Sequence, residues 1–159
     1  AVTIVRQFLF DAWHSIILGH LLKSSDDEVR AIAQKASKEV AYHLERSADT
    51  VVGLGDGTPE SHKRMQAALD YLWPYVGEMF ETDDIDRAMA AAGVAPEPSG
   101  LKADFDALVG RVLADATLTI PEGKFAHKGG RNGYMHTEHL GHILCEMQWL
   151  QRAYPGCEW

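Results

Sequence analysis

The chain has 159 residues, enough for one domain with a buried core, and its hydrophobic fraction of 46% is that of a globular protein rather than a disordered one. Its 15 basic and 23 acidic residues give a formal net charge of −8, which argues against a nucleic-acid partner and against an anionic membrane surface. Cys145 and Cys157 form no Cys-x-x-Cys pair, and no apolar run reaches the roughly 20 residues of a membrane span, so we expect a cytoplasmic protein.

Helical periodicity begins with the first residues of the chain, and residues 2–22 are predicted to form the first helix. The apolar side chains cover far more of its circumference than one stripe, because Phe10, Ile17 and Leu21 lie outside the main apolar face. A helix of this kind must be covered from several sides, so we expect it inside a bundle. Ala1 leads directly into the helix with no cap before it, which suggests that an upstream portion is missing.

Local capping signals predict the second and third helices. Ser25, followed by Glu28 three residues later, has the spacing of a capping box, and the helix is predicted to run to about Val52, before the glycines of residues 53–57. Thr58 and the proline after it have the order of an N-cap and a first helical position. Pro74 is predicted to break that third helix near Trp73.

The second half of the chain adds three predicted helices. A short one starts at Thr82 and ends at Gly93, residues 95–100 form a linker, and residues 102–116 are helical again. Residues 118–134 are irregular and rich in glycine. The last helix covers residues 137–153, and its predicted core face consists of Leu140, Ile143, Leu144, Met147, Leu150 and Tyr154. With no strand pair or repeat in the sequence, the pattern predicts an all-α helical bundle.

A carboxylate and an imidazole lie one turn apart on the second helix, at Glu39 and His43. His43 falls about 40° and Glu39 about 80° from the helix's apolar centre, so both are expected at the edge of the core. Ferritin-like di-iron proteins bind metal with Glu-x-x-His pairs, and the spacing here is one residue longer. Asp11 offers a further carboxylate but lies among polar positions. A hydrogen-bonded pair at a core edge or subunit interface is therefore favoured, and an iron site is the alternative.

Two other clusters contain residue types that bind metals or anions. His136, His139 and His142 spread over about 120° of the last helix, so one ion could reach two of them, and a capping or interface role is favoured over a metal site. Lys124, Lys128 and Arg131 are interspersed with glycines, a composition that could hold a phosphate such as that of CoA, although a solvated loop is favoured. The sequence contains no Gly-x-Ser-x-Gly motif, so it gives no support for nucleophilic catalysis.

Four segments in order, with matching spacing, give the chain a resemblance over its whole length. They are residues 2–13, residues 38–43 with 54–58, residues 60–69 with 72–74, and residues 136–141 with 146–148 and 150–156. Together they resemble the C subunits of the bacterial multicomponent phenylacetyl-CoA epoxidase, a ring 1,2-epoxidase. The closing segment, His136-Thr-Glu-His-Leu-Gly141 onward, is the most specific part.

The resemblance implies a ferritin-like fold over residues 1–159 as one domain, and a non-catalytic role in aerobic phenylacetate degradation. In that family the di-iron centre belongs to the A subunit, which inserts oxygen into phenylacetyl-CoA, and the C subunit pairs with it. A reductase subunit with FAD and an iron–sulfur cluster takes electrons from NADPH, and the complex also contains a small B subunit. The family assigns no catalytic residue or cofactor to the C subunit.

The same resemblance implies that about two helices precede the segment that starts here. A bundle without them exposes apolar surface, so a fragment that self-associates is expected. Two further functions remain open from the residues. One is an active carboxylate-bridged di-iron oxygenase subunit using Glu39 and His43, and the other is a CoA-binding regulatory helical module using Lys124, Lys128 and Arg131.

Overall fold

The computed structural model describes residues 1–123, 126–131, 133 and 135–158. Over these residues the chain is an all-α, ferritin-like bundle with no β-strand. The α-helices are α1 (Val2–Leu21), α2 (Asp27–Gly55), α3 (Pro59–Leu72), α4 (Asp84–Ala91), α5 (Lys102–Asp115) and α6 (Glu138–Ala153), and 3₁₀ segments cover Trp73–Phe80 and Pro98–Leu101. The predicted fold class is confirmed. None of the helices described is long and apolar enough to cross a membrane.

The helix boundaries follow the local signals with two corrections. Thr58 caps α3, as predicted, and also forms a capping box with Ser61. For α2 the cap is Asp26 rather than Ser25, and the Asp26 side chain accepts hydrogen bonds from two backbone amides. The Ser25 hydroxyl instead donates to the carbonyl of Ala92, which attaches the α1–α2 corner to the end of α4. The second correction is the end of α2, which runs through Gly53 to Gly55 because its contact with α5 continues to that point.

One core unites α1, α2, α3 and α5. Helix α1 packs along α2 and also contacts α3 and α5, so it is central as predicted. The first 3₁₀ segment closes one side of this core with Val76 and Phe80, and the Phe80 ring meets the Phe105 ring edge-on at a centroid distance of 5.0 Å. The other fully or nearly buried core side chains are Val5, Phe8, Leu9, Ala12, Val51, Met65, Ala68, Leu69, Leu101, Val109, Leu113, Ala116 and Leu118.

The end of α2 approaches the end of α5 very closely. A Cβ atom built on Gly55 would lie 2.4 Å from the Ala116 carbonyl oxygen, so only glycine fits there without movement. The next residue, Thr117, has φ of 58°, a left-handed conformation that is unfavourable for a β-branched side chain. The two features together form a tight junction at this end of the bundle.

Helix α6 does not contribute to the core, and the prediction of a core face on it is wrong. None of its residues is buried, and Ile143, Met147 and Trp149 are 54%, 73% and 61% exposed. The predicted face does exist as an apolar stripe, but only Leu140 at its start is half-buried, in a cavity that Tyr75 also lines, and Ile143, Leu144, Met147 and Leu150 are exposed. The segment before α6 is irregular in its described part, as predicted.

Candidate functional site

The predicted pair Glu39 and His43 lies on the exposed surface of α2, so its expected place at the core edge is wrong. The residues of α2 that are buried are Ala33, Val40, Ser47, Val51 and Gly55. At about 100° per residue, the first four of these residues lie within an arc of about 40° around the helix axis. Glu39 and His43 lie outside this arc, beyond its edge at Val29. Ile32 lies on the same side of α2 as these two residues and is 67% exposed, so this side of the helix faces solvent although it carries an apolar residue.

A different acidic residue is buried. Asp11 on α1 is 1% exposed, although its position among polar residues indicated a surface side chain. Its Oδ2 atom accepts a hydrogen bond of 2.8 Å from the Ser47 hydroxyl on α2, and its Oδ1 atom accepts one of 2.7 Å from the Gln7 side-chain amide. Since burial of a carboxylate is costly unless hydrogen bonds replace its water, this network explains how Asp11 can lie inside the helix pair.

Asp11 lies at the base of a groove of about 430 Å³ between α1 and α2. His43 and Arg46 line the groove from α2, and Ile4 and Gln7 line it from α1. The groove therefore brings the buried carboxylate near the His43 imidazole, while Glu39 does not line it. Among the described residues, no three His, Cys, Asp or Glu side chains are placed to hold one metal ion.

Sequence reasoning missed the Asp11–Ser47 contact, although two signals for it were present. Ser47 falls on the apolar arc of α2 with Val40 and Val51, so a polar partner from another helix was required. The four-residue spacing of Gln7 and Asp11 also favours a side-chain hydrogen bond on one helix. Neither signal identifies Asp11 as the partner across α1 and α2, since that depends on how the two helices are rotated.

The three histidines near α6 are exposed and do not form one cluster. His136 lines a small cavity of about 190 Å³ with Tyr75 and Glu78, while His139 and His142 lie on α6 itself. Thr137 occupies the N-cap position and its side chain makes no capping hydrogen bond. The capping or interface role of these histidines stays a prediction.

One residue of the predicted phosphate site, Arg131, forms an ion pair with a carboxylate of this chain. Arg131 donates hydrogen bonds of 2.8 Å and 2.6 Å to the two carboxylate oxygens of Asp86 on α4. The contact lowers the pKa of Asp86, chiefly through the hydrogen bond from Arg131, and raises the pKa of Arg131 by the same hydrogen bond. Arg131 is thus committed to a carboxylate, Lys128 is exposed, and Lys124 lies outside the described residues. Phosphate or CoA binding by these residues stays a prediction.

The chain matches, over residues 1–159, the model of a family described as "Phenylacetic acid catabolic protein". The chain belongs to this family. It is also 43% identical over 159 residues to the C subunit of the 1,2-phenylacetyl-CoA epoxidase of Escherichia coli (strain K12). The alignment covers 100% of this chain and 64% of that relative, so the chain spans somewhat less than two thirds of the relative's length. The resemblance seen in the sequence segments is confirmed.

Proposed function

We propose that this chain is a non-catalytic, structural subunit of a multicomponent phenylacetyl-CoA epoxidase and that it pairs with the di-iron A subunit. The proposal is supported by 43% identity, over the whole chain, to a protein named as the C subunit of that enzyme. In this proposal the di-iron centre belongs to the A subunit, the reductase subunit supplies electrons from NADPH through FAD and an iron–sulfur cluster, and the complex acts in the cytoplasm.

The arrangement around Asp11 carries the structural part of the proposal. Both oxygens of this buried carboxylate accept hydrogen bonds, from Ser47 of α2 and from Gln7 of α1. A carboxylate used in this way joins two helices, whereas a metal ligand directs its lone pairs at an ion. The side chains that line the same groove from α2, His43 and Arg46, are exposed, and Arg46 would repel a cation. The groove therefore favours a packing role over iron chemistry.

Co-purification with the A subunit tests the pairing. The chain, co-expressed with a tagged A subunit, is expected to elute with it, and iron in the complex is expected to equal the iron bound by the A subunit alone. The matched variants are Glu39→Gln and His43→Ala, which change exposed side chains and should leave both complex formation and epoxide formation unchanged.

The rival function, an active di-iron oxygenase, predicts the opposite results. The chain alone would then take up about two irons after anaerobic loading and would convert phenylacetyl-CoA when only the reductase is added. His43→Ala would abolish both. Either result would refute the structural role, as would failure of the chain to elute with the A subunit.

A further inference from the structure

Helix α4 is held in place at its two ends rather than by burial along its length. None of its residues is buried in the described part of the chain, and its large apolar side chains, Ile85 and Met89, are 71% and 39% exposed. With eight residues, α4 is also shorter than the roughly 12 residues below which an isolated helix is marginal in water. The helix therefore depends on the contacts that its ends make with other parts of the chain.

The C-terminal end of α4 is joined to the α1–α2 corner by three hydrogen bonds. The amide of Ser25 donates to the Gly93 carbonyl at 2.9 Å, and its hydroxyl donates to the Ala92 carbonyl at 2.8 Å. The hydroxyl of Ser24, which is buried, donates to the Val94 carbonyl at 2.7 Å. Since carbonyl groups at a helix end lack partners within the helix, these donors attach this end of α4 to the core helices.

A segment distant in sequence binds the N-terminal end of α4. This segment, the strap, is defined here as residues 126–131. The Arg131 guanidinium donates to both carboxylate oxygens of Asp86, at 2.8 Å and 2.6 Å, and also to the carbonyl of Glu81. Asp86 accepts a further hydrogen bond of 3.0 Å from the Asp83 amide, in the capping box that begins α4. One carboxylate thus both begins the helix and binds the strap.

The strap is also joined to the first 3₁₀ segment. The Arg131 amide donates to Oε2 of Glu78 at 3.2 Å, and the His127 amide donates to the Pro74 carbonyl at 2.8 Å. The His127 ring stacks on the Tyr75 ring with 4.2 Å between centroids. No residue of the strap is buried, so the strap, like α4, lies on the core without forming part of it.

The ion pair between Asp86 and Arg131 connects two segments that have little buried surface of their own. Local opening has the lowest free energy where few buried apolar contacts are broken, which is the situation of both α4 and the strap. The pair is bidentate, and its side chains are 16% and 36% exposed, so solvent screens it less than a fully exposed pair. Opening of either segment breaks this pair and removes a support of the other.

We propose that α4 and the strap form one opening unit on the core of α1, α2, α3 and α5, and that the Asp86–Arg131 pair locks this unit. When the lock opens, α4 loses the partner of its N-terminal end and the strap loses its contact with α4, while the core stays folded. Because the strap leads into α6, the same opening also frees the base of that helix.

Hydrogen–deuterium exchange of the chain, followed by mass spectrometry of its peptides, tests the unit. Arg131→Gln removes the cation from the strap and leaves every residue of α4 in place. We expect exchange in residues 87–95 and 126–131 to become faster together, by about tenfold, while peptides of α1 and α5 keep their wild-type rates. Raising NaCl from about 50 mM to about 1 M should speed exchange in the same two regions of the wild type and leave Arg131→Gln unchanged.

Arg87→Gln is the matched control, because Arg87 is a cation on α4 whose ion pair, with Asp84, stays within the helix and is exposed. Exposed pairs of this kind contribute little, so its exchange rates should change by less than about twofold. Asp86→Asn removes the lock from the other side and keeps an oxygen that can accept from the Asp83 amide. The double variant Asp86→Asn/Arg131→Gln should exchange no faster than the faster single variant, since both changes break one contact.

Four outcomes would overturn the opening unit. If Arg131→Gln speeds exchange in the strap and leaves α4 at its wild-type rate, the two segments open separately. If neither region changes, the ion pair is not a lock. If α1 and α5 accelerate as much as α4, the pair stabilises the whole fold and no separate unit exists. If Arg87→Gln has the same effect as Arg131→Gln, the loss of a cation near α4, and not the contact with the strap, is responsible.

Discussion

A single methyl group at Gly55 is expected to disturb the junction of α2 and α5. In Gly55→Ala the new Cβ would lie 2.4 Å from the Ala116 carbonyl oxygen and 2.8 Å from the Ala116 Cβ. Carbon–oxygen contacts in proteins normally begin near 3.3 Å, so the overlap is about 0.9 Å. The oxygen belongs to the backbone and cannot rotate away, and the helix ends must therefore separate.

The magnitude follows from two opposing effects. Overpacking of a filled core costs about 1–3 kcal/mol, and this site belongs at the upper end because backbone must move. Replacement of a helical glycine by alanine returns about 0.5–1 kcal/mol of conformational entropy. The net expectation for Gly55→Ala is a loss of about 1–2 kcal/mol in the free energy of unfolding.

Gly53→Ala is the matched control, because Gly53 lies in the same helix and a Cβ there meets nothing within 4 Å. Urea denaturation followed by circular dichroism should show Gly53→Ala more stable than wild type by about 0.5–1 kcal/mol. Equal midpoints for Gly55→Ala and Gly53→Ala would refute the close approach of the two helices.

Three further predictions concern other contacts of the bundle. Ser47→Ala removes the donor to the buried Asp11 carboxylate and should lower the free energy of unfolding by about 1–3 kcal/mol in urea, and an unchanged value would mean that water replaces the hydroxyl. Thr117→Gly relieves the strain of a left-handed φ but costs chain entropy on folding, so thermal unfolding should show a free energy of unfolding higher by up to about 1 kcal/mol. A lower free energy of unfolding would mean that the hydroxyl contacts of Thr117 outweigh the strain. Arg131→Gln should return the lowered pKa of Asp86 toward its ordinary value. The wild-type ion pair therefore stabilises the fold fully above pH about 4, and this stabilisation is lost as the pH falls through the lowered pKa of Asp86. Carbon-13 NMR titration of the Asp86 carboxyl group measures that pKa in the wild-type protein. An unshifted pKa would contradict the prediction.

Features set by neighbouring residues could be predicted. The start of α3 depends on Thr58, Pro59 and Ser61, which lie within one turn of each other, and the structure shows that capping box. The break at Pro74 is similarly local, because proline lacks the amide hydrogen that an α-helix needs. The four segments, in order and at matching spacing, likewise sufficed together to indicate the family, which the match over residues 1–159 confirms.

The sequence by itself determined where the helices form and that their apolar residues follow a helical period, because capping, backbone restriction and spacing act over one or two turns. Only the tertiary structure decided which face each helix buries. The buried arc of α2 is rotated away from Glu39 and His43, Asp11 is enclosed through Ser47 of another helix, and the apolar stripe of α6 faces outward from the core. A period shows that a helix has an apolar side, but burial requires a neighbour, and neighbours come from distant parts of the chain or from another subunit.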